Sequence, residues 1–156
     1  MKINRKTLFI CIAIPLIAGG VAGFISKNSM SAFAALNKPP LSPPGWLFPV
    51  VWTILYLLMG IASYLILTSD APQKDIGNAL KLYGLQLFFN FLWPFLFFQL
   101  ELYFFAFIWL VALWLLILAT IISFSRISKP AAYLMVPYLL WVTFAGYLNL
   151  GIAILN

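Results

Sequence analysis

Leu36-Asn37-Lys38-Pro39-Pro40-Leu41-Ser42-Pro43-Pro44-Gly45-Trp46-Leu47-Phe48-Pro49-Val50-Val51-Trp52-Thr53-Ile54-Leu55-Tyr56 is a proline-dense stretch that runs straight into an apolar one. Five of the chain's ten prolines sit here, with two tryptophans and a tyrosine at the head of the apolar run. Proline fixes φ and lacks a backbone donor, so the first half cannot be regular helix. The stretch reads as a stiff loop that delivers aromatic side chains to the mouth of a membrane helix. Such a loop can form the wall or lid of a ligand pocket. Equally, it can be a connector whose prolines only start the next helix.

The rest of the chain fits a membrane setting. Its 156 residues are 65% hydrophobic and 8% charged. A soluble domain needs more polar surface than this sequence supplies, so the bilayer is its solvent. The formal net charge of +6 comes from nine Lys and Arg against three Asp and Glu. The basic residues stand singly or in small groups between apolar runs, a distribution that sets orientation in a membrane. No nucleic-acid partner is expected. There is no histidine, which removes the commonest metal ligand and the commonest general base. A histidine-ligated haem or zinc site is excluded, and no resident metal or cofactor is expected. The single cysteine, Cys11, lies inside an apolar run and reads as a small core or lipid-facing residue.

About 20 apolar residues cross the hydrocarbon core. The charges divide the chain into five runs of that length: Thr7–Ser26, Trp46–Ser69, Asn78–Phe98, Tyr103–Ser125 and Pro130–Leu155. The first follows Lys2, Arg5 and Lys6. It is longer than a signal peptide's apolar core and lacks a small-residue cleavage site, so it is expected to stay as the first helix. The gap at Gln99-Leu100-Glu101 is short enough to predict a tight hairpin of the third and fourth helices. The expected architecture is an all-α five-helix bundle over residues 1–156, a multi-pass protein of a bacterial cell membrane. With the N-terminus inside, the inner side holds Lys2, Arg5, Lys6, Lys74, Lys81, Arg126 and Lys129, and the outer side only Lys27 and Lys38. The positive-inside rule therefore favours N-in and C-out, with the proline loop outside.

Backbone groups in lipid are satisfied within the helices, so the side chains carry the functional information. Gln86 and Asn90 are four apart and share a face of the third helix, continued by Trp93, Pro94 and Phe97. An amide in hydrocarbon needs a partner, so this face should point into the bundle. It reads either as a polar handle in an apolar cavity or as glue between helices. Pro94 is expected to kink the helix. Trp52 and Tyr56 share a face of the second helix; Tyr138, Trp141, Ala145 and Asn149 share a broad face of the fifth. Trp46 reads as an interfacial anchor, and Trp109 and Trp114 as lipid or packing contacts. Gly19 and Gly23 form a small-xxx-small pattern, suited to close packing within the bundle or between protomers. Asp70, Asp75 and Glu101 lie at span ends and form no carboxylate pair at the bilayer centre. No Ser-His-Asp set, Cys-His pair or phosphate-binding glycine loop exists. Neither a mid-membrane coupling residue nor an internal repeat is present, which favours binding over transport. A cavity of Trp, Tyr, Phe, Asn and Gln suits a flat hydrophobic ligand held by stacking and a few hydrogen bonds.

Three blocks of sequence resemble the TspO/translocator protein family, also called tryptophan-rich sensory proteins or peripheral benzodiazepine receptors. The first is Lys38-Pro39 through Pro43-Pro44-x-Trp46 to Trp52-x-x-Leu55-Tyr56-x-x-Met59-Gly60. The second is Gln86-Leu87-x-x-Asn90-x-x-Trp93-Pro94-x-x-Phe97-Phe98. The third is Pro137-Tyr138-Leu139-x-Trp141 with Phe144-Ala145-x-x-Leu148-Asn149. The resemblance covers nearly the whole chain and implies a five-helix bundle, a homodimer, and a pocket roofed by the first loop. Members bind porphyrins, and several bind sterols and benzodiazepine-type ligands. The implied function is tetrapyrrole binding with a sensory or regulatory role; light-dependent protoporphyrin degradation or transport of lipophiles are the alternatives. Carried over by motif, the ligand-binding wall would include Phe48, Pro49, Val51, Trp52, Asn90, Trp141, Ala145 and Leu148. Gly23 and Phe24 would approach from the first helix, and Phe105 and Ile108 from the fourth. Trp52 and Trp141 match the tryptophans implicated in photochemistry and are the candidate catalytic residues. The chain departs from the family in two places. Its first loop reads Ser31-Ala32-Phe33 where many members carry a tryptophan. No Lys or Arg follows Tyr147, so the cholesterol motif of animal members is missing.

Overall fold

The computed structural model describes residues 2–156 and contains no strand among them. Its helices are α1 (Arg5–Ser26), α2 (Met30–Ala34), α3 (Leu47–Leu67), α4 (Gln73–Pro94), α5 (Tyr103–Ser125) and α6 (Lys129–Leu155). All but the short α2 are long and apolar enough to cross a membrane, which gives the five spans read from the sequence. A 3₁₀ turn at Lys27–Ser29 joins α1 to α2, so the first helical run extends to Ala34, well past the predicted end at Ser26.

The helix starts follow from local chemistry. Asn4 caps α1, its Oδ1 accepting the Thr7 N–H at 3.2 Å. Ser128 caps α6 by accepting from Ala131 N–H, with Pro130 in the first turn, where its missing donor costs nothing. Pro49 lies in the first turn of α3 for the same reason. The third span starts at Gln73 rather than near Asn78. Lys74 and Asp75 sit in its exposed first turn, and a carboxylate there complements the helix dipole. At the other end Pro94 cannot donate to the Asn90 carbonyl. The chain widens into one π turn over Phe95–Gln99, with Leu100 N–H bonded to Phe95 O at 2.9 Å. The hairpin to α5 is as tight as its spacing predicts, turning through Glu101 at φ 54°.

The spans close into a ring: α3 packs on α1 and α6, α6 on α5, α5 on α4, and α4 returns to α1 and α3. Lipid supplies no hydrophobic drive between helices, so close steric fit holds them. Pro15 leaves the Cys11 carbonyl without its helical donor, and Gly60 of α3 packs at that point. A Cβ on Gly60 would lie 2.5 Å from the Ile12 Cα and 2.8 Å from the Cys11 oxygen. Gly19 is used within the bundle, under the Tyr56 ring, whereas Gly23 meets nothing within 4 Å.

The proline loop is fastened to the end of α6. Tyr147 donates to the Pro40 carbonyl at 2.8 Å, and Pro39 is buried against Gly151. Asn156 Oδ1 accepts from Asn37 N–H at 3.1 Å, while Asn156 Nδ2 donates to Asn37 O at 2.8 Å. At the opposite end Asn4 N–H donates to the Tyr64 hydroxyl, tying the start of α1 to the end of α3. The N-terminus, the α3–α4 turn and the α5–α6 break therefore share one end, and the first loop lies at the other.

Candidate functional site

Aromatic side chains from the neighbouring helices α3 and α6 meet toward the loop end. Phe48, in the first turn of α3, sets its ring edge-on to Trp141 of α6, with centroids 5.9 Å apart. One turn further along α3, Trp52 stacks on Tyr56 at 5.6 Å and meets Tyr138 edge-on at 6.2 Å. Helical spacing creates these pairs: residues four apart on α3, and three apart on α6, lie on the facing stripes. Val51, Trp52, Tyr56, Trp141 and Ala145 are partly buried against the main core. Leu148 lies one turn beyond and is buried.

Beneath this wall runs a polar seam. Tyr56 donates to Asn90 Oδ1 at 2.8 Å, Asn90 Nδ2 donates to the Tyr138 oxygen at 2.7 Å, and Tyr138 donates to Gln86 Oε1 at 2.7 Å. Asn90 and Tyr138 each accept one bond and donate the next, so the bonds polarise one another in a low dielectric. The seam joins α3, α4 and α6. Both ends of the Asn90 amide are taken up by tyrosines, which makes Asn90 a tie between helices. A second tie lies further along α4. Trp93 Nε1 donates to Asn149 Oδ1 at 3.1 Å, and Asn149 Nδ2 donates to Tyr103 O at 2.8 Å.

Two polar atoms at the site have no protein partner: Trp141 Nε1 and Gln86 Nε2, both buried. Deeper along α4 the buried Tyr83 hydroxyl is also unpartnered. Its neighbour Ser63 gives its own proton to the Gly60 carbonyl. A buried donor without an acceptor is costly, so these atoms mark places where an added acceptor would bind well.

The remaining site residues expected from the motifs lie elsewhere. Gly23, Phe24 and Pro49 are exposed, and Phe24 lies 4.2 Å beneath the Lys27 ammonium. Phe105 and Ile108 of α5 are exposed too, Phe105 tilting toward Trp109. The structure thus brings together Phe48, Val51, Trp52, Asn90, Trp141 and Ala145, with Leu148 buried a turn further along α6. It turns Gly23, Phe24, Pro49, Phe105 and Ile108 to the outside of the bundle. Trp109 packs as expected, stacked on Phe89 at 4.2 Å with Nε1 on the Phe89 carbonyl. Sequence reading put Tyr56 and Tyr138 on the right faces but did not link them through Asn90. Their helical positions were the available signal; the pairing between helices was not visible. Among the described residues no cluster of side chains suited to a metal ion occurs.

A sequence profile described as the TspO/MBR family matches residues 11–155. The chain is 41% identical over 152 residues to the Tryptophan-rich protein TspO of Chlorobaculum tepidum, covering 96% of each chain. It is 40% identical over 121 residues to the Tryptophan-rich sensory protein of Cereibacter sphaeroides, covering 78% of this chain and 74% of that one. It is 38% identical over 134 residues to the Translocator protein of Ovis aries, covering 84% and 79%.

Proposed function

The chain belongs to the TspO/MBR family, and from that premise we propose that it binds a tetrapyrrole at the Phe48–Trp52–Trp141 wall, in a sensory or regulatory role. The observation that carries the reading is the Trp141 indole N–H, buried without a partner beside the Phe48 ring. Flat apolar rings favour a flat apolar ligand, and the free donor favours one with an acceptor at its edge. A porphyrin offers both, with its macrocycle and its carboxylates. The ring contacts fill the space between α3 and α6, so entry requires these side chains to part. The sensory role rests on the name of the Cereibacter sphaeroides relative.

A second reading, light- and oxygen-dependent porphyrin breakdown, is favoured by two oxidisable indoles, Trp52 and Trp141, at one aromatic wall. One experiment tests both readings. Purified protein is titrated with protoporphyrin in the dark, then illuminated in air while the porphyrin absorbance is followed against a detergent blank. Saturable dark binding is expected; its absence overturns the proposal. If breakdown also occurs, replacing both tryptophans with Phe should leave most of the dark binding and abolish most of the excess bleaching. Equal bleaching by wild type and double variant would remove the two indoles from that chemistry.

A further inference from the structure

The end of the bundle opposite the proline loop carries a recess of about 650 Å³. It opens where the α3–α4 turn faces the α5–α6 break. Ser69 and Asp70 line it from the turn, Asp75 and Asn78 from the first turns of α4, and Ser123 and Arg126 from the end of α5. The volume lies within the range of small-molecule sites. The proposed porphyrin wall is at the other end of α3, so this recess is separate from it.

The charges in the recess are unusual for this chain. Only three acidic residues exist in the whole sequence. Glu101 is at the far end, in the hairpin before α5; the other two, Asp70 and Asp75, both line this one concavity. They do so on the end that also carries Lys2, Arg5, Lys6, Lys74, Lys81 and Lys129. A basic end of a membrane protein attracts lipid phosphate. Inside the recess that sign is locally reversed: two carboxylates, Asp70 and Asp75, line it with a single guanidinium, that of Arg126. Ser69 gives its hydroxyl proton to the Ile66 carbonyl at 2.8 Å, which leaves its oxygen free to accept.

The recess therefore presents acceptors and negative charge next to one guanidinium. An ammonium with N–H donors suits the first set, and a phosphate suits the second through paired N–H bonds. A quaternary ammonium lacks the donors, and a glycerol headgroup lacks the positive charge. We propose that this recess binds a phosphate ester carrying a primary amine: the ammonium on Asp70, Asp75 and Ser69, the phosphate on Arg126. At this level α3 and α5 end and α4 and α6 begin, and a helix of spanning length puts its ends among the headgroups. The phosphoethanolamine headgroup of a membrane lipid is thus the expected occupant.

The test uses the full chain in detergent. Native mass spectrometry reads the retention of phosphatidylethanolamine, phosphatidylcholine and phosphatidylglycerol of identical acyl chains. Retention of the ethanolamine lipid should exceed that of the other two about tenfold, the worth of one charge-assisted hydrogen bond. The Asp70→Asn/Asp75→Asn variant should lose this preference, and Arg126→Gln should lower retention of all three lipids. Should the double variant not fold, Asp70→Asn alone, at an exposed turn position, reads the same preference at reduced size. Equal retention of ethanolamine and choline lipids by wild type overturns the proposal, as does a preference that survives both carboxylate changes. Soluble O-phosphoethanolamine is the second arm. If it displaces the lipid with the same carboxylate dependence, the chemistry holds and a free aminophosphate is the occupant. If it does not, the lipid is.

Discussion

The Asn90 amide and the Trp141 indole N–H are both buried among apolar side chains, yet the protein treats them in opposite ways. Asn90 has both ends occupied, by Tyr56 and by Tyr138. Trp141 has its one donor left free. Both are polar residues on helix faces turned inward, and side-chain chemistry alone assigns them the same pair of roles. The difference is in the neighbours. Asn90 sits where α3, α4 and α6 each contribute a polar group at one level, so both ends of its amide are paired, and the chain of bonds runs on to Gln86, where Nε2 is left free. Trp141 sits where its neighbours, Phe48 and Phe144, have no acceptor to offer. An amide bonded at both ends holds helices together, whereas a donor left free is available to a ligand. The seam is thus the scaffold of the site, and the aromatic wall is its recognition surface.

The sharpest way to break this contrast is Asn90→Leu. Loss of the amide strands the Tyr56 hydroxyl in the interior and removes a bond across to Tyr138. Stability should fall by about 2–4 kcal/mol, one unpaired buried donor plus one interhelical bond. Thermal unfolding in detergent measures it. Porphyrin affinity in the fraction that remains folded should change little. Unchanged stability with lost affinity would move Asn90 from the scaffold to the wall.

The next change acts on the wall alone. Ala145 is partly buried on α6, one turn from Trp141. Ala145→Phe should occupy space needed by the ligand and weaken dark porphyrin binding by about 1–3 kcal/mol, in line with overpacking costs elsewhere. The melting temperature should move less than in Asn90→Leu. Undiminished binding by a folded variant would put the ligand elsewhere.

How much of this was legible beforehand follows the kind of signal involved. The five spans, the tight hairpin at Glu101 and the inward face of α4 rest on local pattern, and all were read from the sequence. The motifs also fixed which helices meet, because Trp52, Asn90 and Trp141 belong to separate blocks that converge. Rotation about the helix axis was less visible. Phe24, Phe105 and Ile108 are apolar in an apolar helix, and nothing in a uniformly apolar run says which side faces the bundle. The structure turns them outward. Gly19 and Gly23 make the same point: the pattern is symmetric, yet only Gly19 has a neighbour, the Tyr56 ring. The recess formed by Asp70, Asp75 and Arg126 was invisible as well. Its residues are 56 positions apart in the chain between Asp70 and Arg126, and each looked like an ordinary charge at a span end.

The smallest expected effect is also the most specific. Trp141→Phe keeps an aromatic ring against Phe48 and removes only the indole N–H and part of the ring. In most buried settings, deleting a hydrogen-bonding group lowers stability because a partner is stranded. Here no partner exists, so the folded state loses no bond and sheds an unpaired donor. Stability should stay the same or rise slightly, against the usual direction for a buried tryptophan. Binding should move the other way. If the free N–H meets an acceptor on the ligand, dark porphyrin affinity should fall by about 0.5–1.5 kcal/mol, the worth of one hydrogen bond. A porphyrin diester, whose side-chain oxygens are weaker acceptors, should show a smaller difference between wild type and variant. Stability that falls while affinity holds would mean that the indole is a packing element, and the contrast with Asn90 would be lost.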